Sequence, residues 1–371
     1  MKLQPAPNIS TITPYPPGKP LEELEREYGI TGSIKLASNE NPWGPSPRAV
    51  KAIAGALTSL HRYPDGSSYY LTQALAGWTG ASPAEIILGN GSNEVIEFLV
   101  KAFVQTGDEV ITSHPSFLMY QKLVQVRGGV NTVIPLRDMH HDLAAILAAI
   151  TPRTRLIFMD NPNNPCATLI SREAFADFLE QVPEEVVVVL DEAYVDFVMP
   201  PELRIDVFSY IRNPEGRAPV VALRTFSKAF GLAGLRVGFG LMHPEIAGLL
   251  HRVRQPFNIN LLAQIGATAA LEDLAHYEMT IRETSRGRAW LSAEVEKLGC
   301  RAYPSHTNFF LIDVRGDATR LYDAMLHQGV IVRSMKPYGY PDFIRITVGT
   351  EAENQRFVLA LATCLRELNY V

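Results

Sequence analysis

The 371-residue chain is short of several things, and each shortage excludes a class of function. It has three cysteines, Cys166, Cys300 and Cys364, odd in number and far apart. No paired Cys or His spacing of the zinc type accompanies them, which argues against a disulfide framework or a structural metal and for a reducing compartment, the cytoplasm. No apolar run approaches the roughly 18 residues a membrane span needs. Met1 to Ser10 has no apolar signal-peptide core, so no signal peptide is expected. Lys and Arg number 34 against 39 Asp and Glu, with no basic block or stripe, so no nucleic acid partner is expected. There is no internal repeat. What remains is an ordinary globular composition, 47% apolar and 20% charged, long enough for two lobes.

The first 20 residues carry six prolines and read as an extended arm without a core of its own. Leu21 to Tyr28 reads as a short amphipathic helix stopped by Gly29. From residue 84 onward strands and helices alternate. Strands are expected near 84–88, 109–112, 130–134, 155–159, 186–190, 219–223 and 237–241. Several are continuous apolar runs, most plainly Val186 to Leu190. Such runs imply burial on both faces, hence a mostly parallel sheet covered by helices. From about residue 260 the pattern changes to a smaller α+β lobe, opening with a long helical stretch, 262–298, that breaks near His276 and Tyr277. The expected organisation is an arm and helix (1–35) joining the small lobe, a large α/β unit (36–260), and the small unit (261–371).

Sites in parallel sheets lie at the carboxyl ends of the strands. Asp160-Asn-Pro-Asn-Asn-Pro165, Asp191-Glu-Ala-Tyr194 and Arg224-Thr-Phe-Ser-Lys-Ala-Phe-Gly231 follow three successive buried strands. One rim therefore receives asparagine, aspartate with tyrosine, and Lys228 between two hydroxyls. Gly89-Asn-Gly-Ser92 runs from a strand into a helix, an arrangement that aims backbone N–H groups at an anion. A lysine among hydroxyls with Arg236 nearby suits a Schiff base to a phosphorylated carbonyl cofactor.

In this order, and together with Ser38-Asn-Glu-Asn-Pro42, Arg62-Tyr-Pro-Asp65 and Arg345-Ile-Thr-Val-Gly-Thr350, these motifs resemble the fold-type-I aminotransferases that use pyridoxal 5'-phosphate. The similarity is greatest to the histidinol-phosphate aminotransferases and runs from about Tyr15 to Asn354. The resemblance implies the fold-type-I architecture and transamination between histidinol phosphate and 2-oxoglutarate, giving imidazole acetol phosphate and glutamate, in histidine biosynthesis. It implies that Lys228 carries the cofactor and moves the proton, so its environment must depress its pKa. Asp191 would face the ring nitrogen, and Tyr194 and Asn164 the ring oxygen. Phe117 would stack on the ring. Ser92, Asn93, Thr225, Ser227 and Arg236 would hold the phosphate, joined by Tyr63 from a second subunit of a homodimer. Tyr15, Asn41, Arg333 and Arg345 would meet substrate, with Arg345 on the α-carboxylate. Glu192 would point elsewhere.

One departure stands out. The family's Thr-Gly after Asn-Pro-Asn-Asn-Pro is Cys166-Ala167 here. Either the turn avoids positive φ or it stores strain, and Cys166 is a candidate reactive thiol. Aromatic amino acid aminotransferase and threonine-phosphate decarboxylase are same-fold alternatives. A DNA-binding regulator is disfavoured by the roughly 35 residues before the first sheet strand, too few for a helix-turn-helix domain plus linker. A nicotinamide-binding fold is disfavoured by Glu94 at the last glycine position of G-x-G-x-x-G.

Overall fold

The structure, a computed structural model, describes residues 3–14, 18–213 and 215–370. Seven strands form the main sheet: β1 (Ile86–Gly89), β2 (Glu109–His114), β3 (Val130–Pro135), β4 (Thr154–Asp160), β5 (Val187–Asp191), β6 (Val220–Thr225) and β7 (Gly238–Leu241). Their order is β1-β7-β6-β5-β4-β2-β3. All neighbours pair in parallel except β7, which runs antiparallel to both β1 and β6.

Side chains alternate across a strand, so a doubly covered sheet needs apolar residues at every position. In β4 and β5, Ile157, Val188 and Leu190 enter one core, while Leu156, Phe158, Val187 and Val189 enter the core on the other face. The mostly parallel α/β reading therefore holds, and the strand ends lie within about two residues of expectation. The antiparallel β7 is reached through a loop, residues 226–237, with no crossover α-helix to carry the chain back to the other end of the sheet.

The second sheet is antiparallel: β8 (Arg301–Ala302), β9 (Phe309–Asp313), β10 (Arg333–Ser334) and β11 (Phe343–Thr347), in the order β10-β11-β9-β8. Phe310, Ile312, Leu321, Ile344 and Phe357 form its core. Leu24 of the helix Leu21–Tyr28 packs with Leu326 and Ile331. Ile34–Lys35 pairs in parallel with Val330–Ile331.

Two details differ from expectation or settle what it left open. The long helical stretch breaks at residues 272–273, not at His276, because the Asp273 carboxylate accepts the His276 N–H and starts a new helix, Leu274–Lys297. The described part of the proline arm lies on its own chain. Asn8 Nδ2 donates to the carbonyls of Gln125 and Val126 on the helix Met119–Arg127. Among the described residues no helix is long and apolar enough to cross a membrane.

Candidate active site

The carboxyl ends of β4, β5 and β6 wall a cavity of about 230 Å³ together with the start of helix α1 (Ser92–Phe103). Two glycines make that corner possible. Gly91 has φ 77°, and a Cβ on it would lie 2.6 Å from Arg236 Nη2. A Cβ on Gly238 would lie 2.4 Å from the Ser92 nitrogen. Arg236 and the first turn of α1 thus approach more closely than side-chain-bearing residues would allow. Arg236 Nη1 is 3.4 Å from Ser227 Oγ. Gly91 caps α1 without a side chain, and Asn93 Oδ1 is buried with no hydrogen-bond partner among the described residues. Unsatisfied N–H groups at a helix start, two hydroxyls at Thr225 and Ser227, and a guanidinium make an anion site.

Lys228 lines the same cavity. Burial first, then the positive charges of Arg345 and Arg236, lower its pKa to about 8. Its Nζ donates to the Ser38 carbonyl at 3.3 Å. Asp191 is buried, which pushes its pKa up to about 7 against the lowering effect of the Tyr120 hydroxyl. That hydroxyl donates to Asp191 Oδ2 at 2.8 Å, and the Ala193 N–H donates to Oδ1 at 3.1 Å. The Tyr194 hydroxyl accepts from Asn39 Nδ2 at 2.9 Å, so its own proton points elsewhere. Burial raises Tyr194 to about 12, keeping it a neutral donor. Glu192 does face away, bonded at 2.9 Å to Arg224.

Asn164 and Arg345 are joined: Nη1 donates to Asn164 Oδ1 at 2.5 Å, and Nη2 to the Ala37 carbonyl at 2.9 Å. This contact orients the Asn164 amide, leaving Nδ2 as the donor on its other side. Arg333 is the cross-strand partner of Arg345 in the register of β10 and β11. Phe117 lines the cavity.

The structure thus gathers Ser92, Asn93, Phe117, Asn164, Asp191, Tyr194, Thr225, Ser227, Lys228 and Arg236 around one cavity. It does not bring Tyr63 there: Tyr63 is 83% exposed and stacks on Phe257 at 4.8 Å. Asn41 is engaged elsewhere, its Nδ2 on the Ala229 carbonyl and its Oδ1 on the Trp43 N–H. Tyr15 lies outside the described residues. The reactive-thiol expectation for Cys166 is overturned. The thiol is 1% exposed, packs with Leu311 and Met335, and is pushed by burial to about 12. Ala167 takes the strained alternative, with φ 61°.

Three residues at the site had no role in the sequence reading. Asp160 ends β4 and could have been found by the strand-end rule that found Asp191. Asn39, two residues before Asn41 in Ser38-Asn-Glu-Asn-Pro42, is the asparagine of that motif whose Nδ2 meets the Tyr194 hydroxyl. Tyr120 is one aromatic in a helix, with no signal short of tertiary contact.

A family model described as aminotransferase class I and II matches residues 31–361. The chain is 64% identical over its whole length to a histidinol-phosphate aminotransferase of Desulfotalea psychrophila, covering 98% of that protein. It is 47% identical to a histidinol-phosphate aminotransferase of Moorella thermoacetica, over 96% of this chain and 92% of the other. It also superimposes on the crystal structure of histidinol-phosphate aminotransferase from Sinorhizobium meliloti in complex with pyridoxal-5'-phosphate. The TM-score is 0.90, with 30% identity and 99% of each chain covered.

Proposed function

The chain belongs to the class I and II aminotransferases, and we propose that it moves an amino group between histidinol phosphate and 2-oxoglutarate with pyridoxal 5'-phosphate as cofactor. The products are imidazole acetol phosphate and glutamate, a step of histidine biosynthesis. One observation carries the reading: a single cavity is lined by a neutralisable lysine, an anion site and a buried carboxyl. The substrate rests on the relative that is 64% identical along the whole chain.

The residues present fit the cofactor. The uncapped α1 start, the Thr225 and Ser227 hydroxyls and the Arg236 guanidinium line one cavity as donors, which is what a phosphate ester accepts from. Ser92, Asn93, Thr225, Ser227 and Arg236 would hold that phosphate, Phe117 would cover one ring face, and Asp191 would meet the ring nitrogen. Bound pyridoxal phosphate supplies an aldehyde that captures amines and a ring that accepts an electron pair.

The protein's part follows from proton affinities. Asp191 is poorly solvated, so a cation beside it is strongly favoured, and its carboxylate would keep the ring nitrogen protonated. Lys228, with its pKa lowered to about 8, is neutral for part of the time and can take the proton from the substrate's α-carbon. The Tyr194 hydroxyl and Asn164 Nδ2 would donate to the ring oxygen. Arg345 would take the glutamate carboxylate, with Arg333 offering a second cation for a phosphate ester. Both arginines sit in the unit after residue 260, so substrate would draw it, with the helix Leu21–Tyr28 that packs on it, toward the main sheet.

The active unit is a homodimer in this reading. Val50, Leu57, Leu60, Tyr63, Tyr70 and Phe257 are exposed, an apolar surface suited to a second copy. That contact would bring Tyr63 to the neighbour's phosphate. The enzyme would work in the cytoplasm, where its three free cysteines stay reduced.

A half-reaction screen tests the proposal. Cofactor-loaded protein is mixed in turn with histidinol phosphate, glutamate, phenylalanine and phosphothreonine, and the cofactor's absorbance is followed. Fast conversion by the first two is expected. No change with histidinol phosphate would sink the substrate assignment.

A further inference from the structure

Asp160 is a second carboxylate at the same rim. It ends β4 directly beside Asp191 in the strand register and is 3% exposed. Like charges side by side in a poorly solvated place cost free energy unless each is well bonded. Asp160 is surrounded by donors. Its Oδ1 accepts the Ser116 hydroxyl at 2.8 Å and Asn163 Nδ2 at 3.0 Å. Its Oδ2 accepts the Asn164 N–H at 2.7 Å. The His141 ring, bonded through Nδ1 to Ser113, brings Nε2 to 3.3 Å of Oδ1 and 3.0 Å of the Asp160 carbonyl.

These contacts converge on one short loop. Asn163, held by Asp160, accepts the Cys166 N–H at 2.9 Å on its side chain and the Ala167 N–H at 2.8 Å on its backbone. The loop therefore stays closed although Ala167 carries a left-handed φ of 61°, a conformation that disfavours an alanine. Asn164 is placed by the same anchor, and its side chain in turn accepts from Arg345.

We infer that Asp160 is the positioning residue that holds Asn164, and through Asn164 aims Arg345 at the substrate. The inference rests on the aminotransferase reading above. Asp160 lines the cavity, but both of its oxygens are occupied by these protein donors. It acts by presenting two acceptor oxygens at the root of the loop. An asparagine there places an N–H against the Asn164 N–H or against the Ser116 and Asn163 donors, so one side of the anchor must open.

The test uses the loaded full-length protein. Asp160→Asn is expected to raise the glutamate KM about tenfold, equivalent to about 1.4 kcal/mol, with kcat changed less than about threefold. It should also weaken pyridoxal phosphate binding, measured by fluorescence quenching, since Asn164 loses its set orientation. Ser116→Ala removes one donor and leaves the carboxylate, so it folds more safely, and a two- to threefold KM rise of about 0.5 kcal/mol is expected. All assays run well below each variant's melting temperature, where a loss of global stability leaves KM unmoved. If both variants melt earlier yet keep the wild-type KM and cofactor affinity, Asp160 is only structural and the inference is overturned. If the wild type itself does not react with glutamate or histidinol phosphate, the functional reading fails instead.

Discussion

Arg333 and Arg345 stand directly opposite each other in the register of two antiparallel strands. Cross-strand partners point to the same face, and like charges so placed repel. A protein keeps such a pair where an anion will join it. Arg345→Lys keeps the charge and loses the planar fork, so the glutamate KM should rise at least about tenfold with kcat less affected. Arg333→Gln should raise the KM for histidinol phosphate without lowering the melting temperature. Steady-state kinetics with each donor varied, plus calorimetry, checks both.

Lys228 supplies a pH signature. Its amine titrates near 8 rather than the ordinary 10.5, because burial and two arginines disfavour the charge. Only the neutral amine captures an aldehyde. Association of pyridoxal phosphate with apoprotein should therefore quicken about tenfold per pH unit up to 8 and level off above it. The folded apoprotein binds fewer protons here than the unfolded chain between pH 8 and 10.5, so this group raises stability as pH climbs through that window. Lys228→Ala should bind cofactor without this profile and lose turnover; retained transamination in that variant would overturn the assignment.

Asp191 carries the opposite sign. Its folded pKa is raised from 3.8 to about 7, chiefly by burial, so the folded state binds more protons between those values. The apoprotein loses stability as pH rises from 3.8 toward 7 and does not regain it above. Asp191→Asn removes the buried charge. At pH 8 the apoprotein should melt at least about 2 °C higher, while kcat falls at least about 100-fold because the ring nitrogen loses its anion. Thermal scans with and without cofactor separate the two effects.

Ala167 stores strain that glycine would release. With φ at 61°, Ala167→Gly should stabilise the fold by about 1 kcal/mol, or about 2 °C in melting temperature. Kinetics should be unchanged, since Ala167 has no chemical role.

Cys166 should be inert in the folded enzyme. Its thiol is 1% exposed and raised to about 12, so little thiolate is present and none is accessible. Iodoacetamide at pH 8 should leave activity intact and label Cys166 only after unfolding, as read by peptide mass.

Much of the site was legible because its residues follow strands whose burial is written in unbroken valine and leucine runs. Asp191 ends such a run, and Asn164 and Lys228 follow one within four residues. Tyr120 was not legible, because a helical tyrosine reads the same whether it fills space or bonds a carboxylate. Its hydroxyl, which donates to Asp191 Oδ2 at 2.8 Å, decides which. Asn41 was preferred over Asn39 because neighbouring residues in a loop carry no periodicity to say which one turns inward.

The sequence by itself determined the mostly parallel sheet, the strand-end chemistry, the lysine and its anion site, since these depend on local pattern and order along the chain. Only the tertiary structure decided how side chains distant along the chain, Tyr120 from Asp191 and Asn164 from Arg345, meet. It paired Tyr120 with Asp191, tied Arg345 to Asn164, and set Arg333 against Arg345. The physical reason is that proton affinity and hydrogen-bond partnership depend on distance and burial in space, and neither is encoded by separation along the chain.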